Sequence, residues 1–318
     1  MQRIVYVTNE RHAWIMNNKL IVVVGAAGKL GRLVVDALLS QSDVQVRALV
    51  RDPKKPEIAA VQHPRLTWLA YDVATASPAE HAAAVDGAWA VVSTLQGGPD
   101  VLIEGQQRLL LAAKAAGARR FIPSDYSFNF FTLPPGINVN SDWRRRAAEL
   151  ADAETSPTFE VVHVLQGIFA DRGVLGFLGM FDPGAGVVRY YGDGQTPIDW
   201  TSWEDTARFI AVAALSEESL PSRLFVRGER ADIFAFAKTW ESIHGRPLSL
   251  ERQGSLADLD AEIARRLAAE PQNIYAWLPL QYARGLWSGE GLLGEIHNAR
   301  FPSIQAESLA QVIARGAL

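Results

Sequence analysis

Gly25, Gly28 and Gly31 stand three apart, directly after the apolar run Leu20-Ile-Val-Val-Val24. Glycines at this spacing let a backbone come close to a phosphate group. Gly25 permits a tight turn out of a strand, and Gly28 lets main-chain amides approach a pyrophosphate. Gly31 lets a following helix pack close to the sheet. Ala27, Lys29 and Leu30 belong to the same turn and helix start, whose unpaired N–H groups and positive dipole end suit an anion. Glycine is common in the chain, 25 of 318 residues, so the spacing alone says little. Its place between a strand and a helix makes it a nucleotide-binding signal.

Further candidates follow the later strands. A basic side chain after the second strand of such a unit accommodates a ribose 2′-phosphate, whereas an acidic one accepts from the 2′-hydroxyl. Here Val50-Arg51-Asp52 ends that strand, with Lys54 and Lys55 behind it. Arg51 with Lys54 therefore predicts NADP(H) in preference to NAD(H). The plainer alternative is that both solvate a loop while Asp52 caps the turn. Asp72 and Val73 are placed either to border an adenine or to form an ordinary turn. Thr94, Leu95, Gln96 and Gly97, after the fourth strand, would sit beside the inner ribose and nicotinamide.

Asp125 and Tyr126 follow the fifth strand, at the edge where substrates sit, and are the candidate catalytic residues. Tyr126 would donate a hydrogen bond to a carbonyl, or simply pack as a half-buried aromatic. Phe128, Phe130 and Phe131 come next, and an aromatic loop there suits a flat apolar substrate. Core packing beneath a second subdomain explains it equally well. Phe128, Phe131 and Trp143 are the candidate substrate contacts. Trp143, Trp200, Trp203 and Trp277 could each wall a pocket, with core packing as the plainer reading of each. His163, inside a strand, reads as a satisfied buried histidine. Arg144, Arg145 and Arg146, followed by Glu149, Asp152 and Glu154, suggest salt bridges along a helix face. The six histidines show no metal-ligand spacing, so no metal site is expected.

These residues need strands and helices to hold them. Strand patterns at 20–24, 44–50, 66–70, 89–93, 120–123 and 159–165 alternate with helical patterns at 30–39, 78–85, 99–116 and 141–153. That alternation predicts an α/β fold, a doubly wound parallel Rossmann sheet over residues 19–169. From 170 to 318 the pattern loosens into a smaller α+β C-terminal substrate subdomain, with some elements returning to the sheet. Val187–Tyr191 and Pro197–Thr201 read as strands flanking a Gly192-Asp-Gly194 turn. Thr201-Ser-Trp-Glu204 reads as a capping box opening a helix. Residues 1–18 form an N-terminal extension. Met16 reads as a natural start, making 1–15 an over-extended start or a loose tail, although Ile4–Val7 could instead be an edge strand.

Composition narrows the function classes. Hydrophobic residues make up 48% and charged residues 21%, as in a soluble globular protein. A net charge of −4 argues against nonspecific binding to nucleic acid or an anionic membrane. No apolar run reaches the ~20 residues that would span a bilayer. The absence of cysteine excludes disulfides, thiolate catalysis and cysteine-ligated metal, and fits a cytoplasmic location.

With Arg120-Phe-Ile-Pro-Ser-Asp-Tyr126 added to these features, the chain resembles the NmrA-like, isoflavone-reductase-like branch of the atypical short-chain dehydrogenases. Gly25, Gly28 and Gly31 match that branch's glycine motif, and Arg51 its arginine after the second strand. The fifth-strand phrase matches through Asp125, which implies Pro123 and Ser124 at the cofactor. Gly167-Ile-Phe169 resembles the segment that flanks the nicotinamide. Tyr191–Asp199, Asp205-Thr-Ala207 and Asn298–Pro302 are similar too, so the resemblance runs from Lys19 onward. It implies an NADPH-dependent reductase passing hydride to an aromatic carbonyl, quinone or conjugated alkene, as a monomer or homodimer. It equally admits a non-catalytic NADP(H) sensor acting through a protein partner, because the family contains both.

One departure bears on this choice. Reductases of the branch often carry a proton-transferring lysine four residues before an Arg-Arg pair. Setting Arg145-Arg146 on that pair puts Ser141 at the lysine position, with Asn140 as the other choice, and no lysine lies between Lys114 and Lys238. Arginine is no substitute, since it does not exchange a proton near neutrality. No lysine stands four residues after Tyr126 either, where Phe130 is found.

Overall fold

The computed structural model describes residues 19–318. The N-terminal extension, with its Ile4–Val7 run, lies outside the described residues. The chain opens with β1 (Lys19–Val24), α1 (Lys29–Leu39), β2 (Val44–Val50), α2 (Pro56–Ala59), β3 (Leu66–Ala70), α3 (Pro78–Val85) and β4 (Ala90–Ser93). A π-helical segment, Asp100–Gly105, leads into α4 (Gln106–Ala115), followed by β5 (Arg120–Ile122), α5 (Val139–Asp152) and β6 (Glu160–Val161). These six strands form one sheet in the order β3-β2-β1-β4-β5-β6. Every pairing within it is parallel, the doubly wound order that the strand–helix alternation predicts.

Burial along β1 shows why its sequence is apolar throughout. Ile21 and Val23 face a core built with α1, while Val22 and Val24 face the opposite core with Leu109, Leu110 and Phe121. Successive side chains point to opposite faces, and both faces are covered, so alternation with polar residues has no place.

The remainder comprises β7 (His163–Leu165), β8 (Ile168–Phe169), α6 (Arg172–Phe177), β9 (Phe181–Asp182), β10 (Val187–Tyr191), β11 (Ile198–Thr201) and α7 (Trp203–Leu215). Then come β12 (Arg223–Phe225), β13 (Glu229–Ala231), α8 (Ile233–His244), β14 (Ser249–Gly254), α9 (Leu256–Ala269), α10 (Ile274–Trp287) and α11 (Leu309–Ala314). Part of this region returns to the Rossmann layer. β12 pairs in parallel with β7, and Ala207, Ile210 and Ala214 of α7 share a core with α1. Arg120, fully buried at the start of β5, donates to the carbonyls of Ala213 (2.5 Å), Ser216 (2.9 Å) and Glu218 (2.8 Å). It thereby satisfies the free carbonyls at the end of α7, while its Nε donates to Glu160 (2.9 Å).

The other elements make a second core around Trp200, Phe236 and Trp240, with the rings of Trp200 and Phe236 stacked 5.3 Å apart. The strands expected on either side of the Gly192–Gly194 turn form as β10 and β11, whereas the cap expected at Thr201 needs correction. β10 joins β9 and β14, and β11 joins β8 and β13. The cap of α7 is Ser202, whose Oγ accepts from Asp205 N (3.0 Å). Thr201 ends β11, and its hydroxyl donates to Gln166 O (2.6 Å). Among the described residues, no helix is long and apolar enough to cross a membrane. None of their histidine and carboxylate groups forms a cluster of three suited to a metal.

Candidate functional site

A cleft of about 440 Å³ opens at the C-terminal ends of β1, β2, β4 and β5. Gly25, Ala27, Gly28, Lys29 and Leu30 form its floor, and Arg51, Asp72 and Val73 close one end. Thr94, Leu95, Gln96, Ser124, Tyr126 and Phe169 form the other side, joined by Arg144 and Trp203.

The glycine turn has the geometry its spacing predicts. Gly25 sits at φ +78°, a conformation that L side chains rarely adopt. Gly28 is the N-cap of α1 and has no side-chain cap, so the first-turn N–H groups of α1 face the cleft without a side-chain acceptor at the cap. Gly31 does not line the cleft; a Cβ there would lie 2.4 Å from Gly25 O. Its role is close packing of α1 against the turn. A space that side chains would fill, at an uncapped helix N-terminus, suits a pyrophosphate.

The strand ends around it are tied together. The Thr94 hydroxyl donates to Val24 O (2.8 Å), fixing β4 to β1. The Ser124 hydroxyl donates to Leu95 O (2.7 Å), and its backbone N–H donates to Gln106 Oε1 (2.9 Å). Thr94 and Ser124 therefore shape the cleft through backbone position rather than with free hydroxyls. Lys29 reaches Asp171, at the N-cap of α6, in a 2.6 Å ion pair. Its ammonium also lies 4.9 Å from the centre of the Trp203 ring, which stacks on Phe169 at 3.5 Å. Glycine turn and C-terminal elements are thus joined over the cleft.

Several expected site residues lie elsewhere. Lys54 is exposed and off the cleft wall, and its backbone N–H donates to Asp52 Oδ1 (2.9 Å), so Asp52 does cap the turn. Gly97 packs on Val101, where a Cβ would lie 2.8 Å from its side chain. Pro123 is buried behind the wall. Gly167, at φ +82°, packs on Asp199 and borders a separate small cavity with Phe128. Phe128 belongs to a core with Phe130, Leu133, Leu165 and Leu293, against which Phe131 packs. Trp143 is half-buried on α5, outside the cleft. The aromatic loop is core, because the C-terminal helices cover it.

Asp125 is also misplaced as a catalytic residue. It is buried, and its Oδ2 lies 2.5 Å from His163 Nδ1. His163 Nε2 contacts Asp152 Oδ1 (3.1 Å), and Arg223 holds the other oxygen of Asp152 (2.6 Å). Burial by itself would push the His163 pKa down, but hydrogen bonds to Asp125 and Asp152 outweigh it and raise the value. Burial opposes ionisation of Asp152, yet its bonds to His163 and Arg223 hold it well below the usual carboxylate range. His163 is thus a structural clasp between β5, α5 and β7.

A raised histidine pKa stabilises the fold fully below the unfolded value of about 6.5 and loses that contribution as pH rises through the folded value. Urea denaturation should show wild-type stability falling from neutral to alkaline pH, a slope that His163→Gln lacks. At pH 6 the variant should be less stable by about 3 kcal/mol.

Tyr126 does reach the cleft wall, but its hydroxyl donates to Ser93 O (2.9 Å). Burial, with Asp125 beside it, pushes that hydroxyl well above its ordinary pKa. Ser141, the first of the two candidate lysine positions, is buried and within the first turn of α5 capped by Asn138, and neither it nor Asn140 lines the cleft. Arg144 lines the cleft without a local sequence signal to assign it, and of the four tryptophans named as possible pocket walls Trp203 alone lines it. Three consecutive arginines do not reveal which one the helix turns inward, and Trp203 stands far along the chain from the glycine turn.

Residues 17–132 match the NmrA-like family. No curated protein matches the chain. Among solved structures, the chain is similar to AtPrR2 with NADP+ and (+)-pinoresinol at 20% identity, over 94% of this chain and 98% of that one, with a TM-score of 0.75. An isoflavone reductase gives 19% identity over 94% and 99%, with a TM-score of 0.75. An NADPH-dependent quinone oxidoreductase from Escherichia coli gives 18% identity over 93% and 98%, with a TM-score of 0.68. The N-terminal part of the chain, residues 17–132, thus matches the NmrA-like family, and the chain as a whole has the fold of the isoflavone reductases.

Proposed function

We propose that this protein is an NADPH-dependent reductase of flat conjugated acceptors, an aromatic carbonyl, quinone or conjugated alkene. The observation that carries this reading is the continuity of one cleft. It runs from Arg51, past the glycine turn and the uncapped start of α1, to the Phe169–Trp203 stack. Gly25, Gly28 and the first turn of α1 would hold the pyrophosphate, Arg51 the 2′-phosphate, and Asp72 and Val73 the adenine side. Thr94–Gln96, Ser124 and Phe169 would border the nicotinamide. That several structural neighbours are described with NADP+ or NADPH supports the cofactor class.

When bound, NADPH supplies a hydride, two electrons and one hydrogen nucleus, to an acceptor carbon or quinone oxygen. The chain's own residues orient the ring. The proton that completes reduction comes from solvent, because neither Tyr126 nor Ser141 is a usable acid. Tyr126→Phe should therefore change NADPH consumption with a quinone by less than about threefold while lowering stability by about 1 kcal/mol. A loss of two orders of magnitude would restore Tyr126 as the acid.

A second reading, an NADP(H) sensor acting on a protein partner, is favoured by one observation. Lys29 is the only lysine on the cleft wall among the described residues, and it is paired with Asp171. Following NADPH absorbance against a panel of quinones and aromatic aldehydes separates the two readings. The reductase consumes NADPH and Gly28→Trp does not. A sensor binds NADPH and NADP+ with different affinities and consumes neither.

A further inference from the structure

Arg144 brings a cation into the cleft without an acidic partner. Its neighbours on α5 are paired: Arg145 with Asp142 (2.6 Å) and Arg146 with Glu149 (3.0 Å). Arg144 instead donates from Nε to Ser124 O (3.2 Å) and from Nη1 to the Tyr282 hydroxyl (3.2 Å). Among the described residues, no carboxylate lies within the 4.0 Å of an ion pair from its guanidinium. Two of its five N–H donors are used, so three remain, enough for a bidentate carboxylate. The two existing bonds hold the plane of the guanidinium in place.

The sheet order separates this charge from the phosphate-binding end. Arg51 follows β2, the glycine turn follows β1, and Arg144 meets the end of β5 beyond β4. Three strand spacings, about 14 Å, lie between β2 and β5. A 2′-phosphate held at Arg51 therefore leaves Arg144 on the acceptor side. Its surroundings there are aromatic. Tyr282 packs edge-on against Phe128 (5.8 Å) and Phe177 (6.3 Å), and the Phe169–Trp203 stack forms a flat wall of the same cleft.

We infer that Arg144 is a specificity-determining residue that binds the carboxylate of a flat conjugated acceptor, so that the substrate class is an aryl or arylalkenyl carboxylic acid. This rests on the dinucleotide reading of the cleft. A neutral acceptor of the same shape would leave the guanidinium facing an apolar ring without an anion, whereas a carboxylate satisfies its free donors.

Titration calorimetry on the full chain provides the test. Protein is first titrated with NADP+, and the saturated complex then with trans-cinnamate or its neutral isostere trans-cinnamide. The expected result is a preference for cinnamate of about 10- to 100-fold, the range of a hydrogen-bonded charge. Arg144→Gln should abolish that preference, Arg144→Lys should keep only part of it because an ammonium lacks the planar fork, and NADP+ affinity should stay within about twofold in both. Equal binding of the two probes, or no binding of either to the NADP+ complex, overturns the inference alone. So does a cinnamate preference that survives in Arg144→Gln, or a matching loss of NADP+ affinity, which would make Arg144 a cofactor ligand. Failure of the wild-type chain to bind NADP+ removes the dinucleotide reading, and this inference with it.

Discussion

Gly31→Val is expected to weaken NADPH binding at least ~100-fold and to lower stability by about 1–3 kcal/mol, the range for overpacking a tight contact. A Cβ at this position would lie 2.4 Å from Gly25 O, 2.7 Å from Ala26 Cα and 2.8 Å from Thr94 Oγ1. Two of these atoms are backbone, and the third is held by the Thr94 hydroxyl bond to Val24 O (2.8 Å). None can move aside alone, so the first turn of α1 must shift off the glycine turn, taking the phosphate-facing N–H groups with it. Gly28→Ala offers the contrast, because its Cβ would meet only Gly25 O, at 3.3 Å. It should leave stability nearly unchanged. Nicotinamide fluorescence titration and urea denaturation of both variants check the pair, and wild-type affinity in Gly31→Val would contradict the packing argument.

Arg51→Glu should separate the two dinucleotides. Arg51 is exposed at the mouth of the cleft after β2 and, among the described residues, forms no ion pair that would occupy it. A guanidinium can bind a 2′-phosphate through two parallel hydrogen bonds, and a carboxylate there repels it while accepting from a 2′-hydroxyl. NADPH affinity should fall about 10- to 100-fold, with NADH affinity held within about threefold. Equal weakening of both would remove the 2′-phosphate assignment. Lys54 should contribute little, since it stands off the cleft wall.

The parts of this molecule legible in its sequence are those decided locally. Gly25 and Gly31 have conformational or packing demands that only glycine meets, and β1 is read from residues buried on both faces. What escaped depends on distant partners. Asp125 follows β5 where a catalytic carboxylate would stand, yet its oxygen is taken by His163, 38 residues further along. Phe128 and Phe131 have the composition of a substrate loop, but the C-terminal elements pack over them. β10 and β11 flank a turn of two glycines, and each finds its partners in other strands. Arg144 differs from Arg145 and Arg146 only in helical phase, about 100° per residue, and that phase directs it alone into the cleft.

We propose hydride transfer within this cleft. Its most direct measurement is isotope transfer, with NADPH deuterated at C4 on each face in turn and incubated with the protein and 4-carboxybenzaldehyde. Mass spectrometry of the alcohol should find one deuterium on the former aldehyde carbon, from one face only, and none with Gly31→Val. Saturable NADPH binding with no labelled alcohol from either face would contradict the reductase account and leave a sensor.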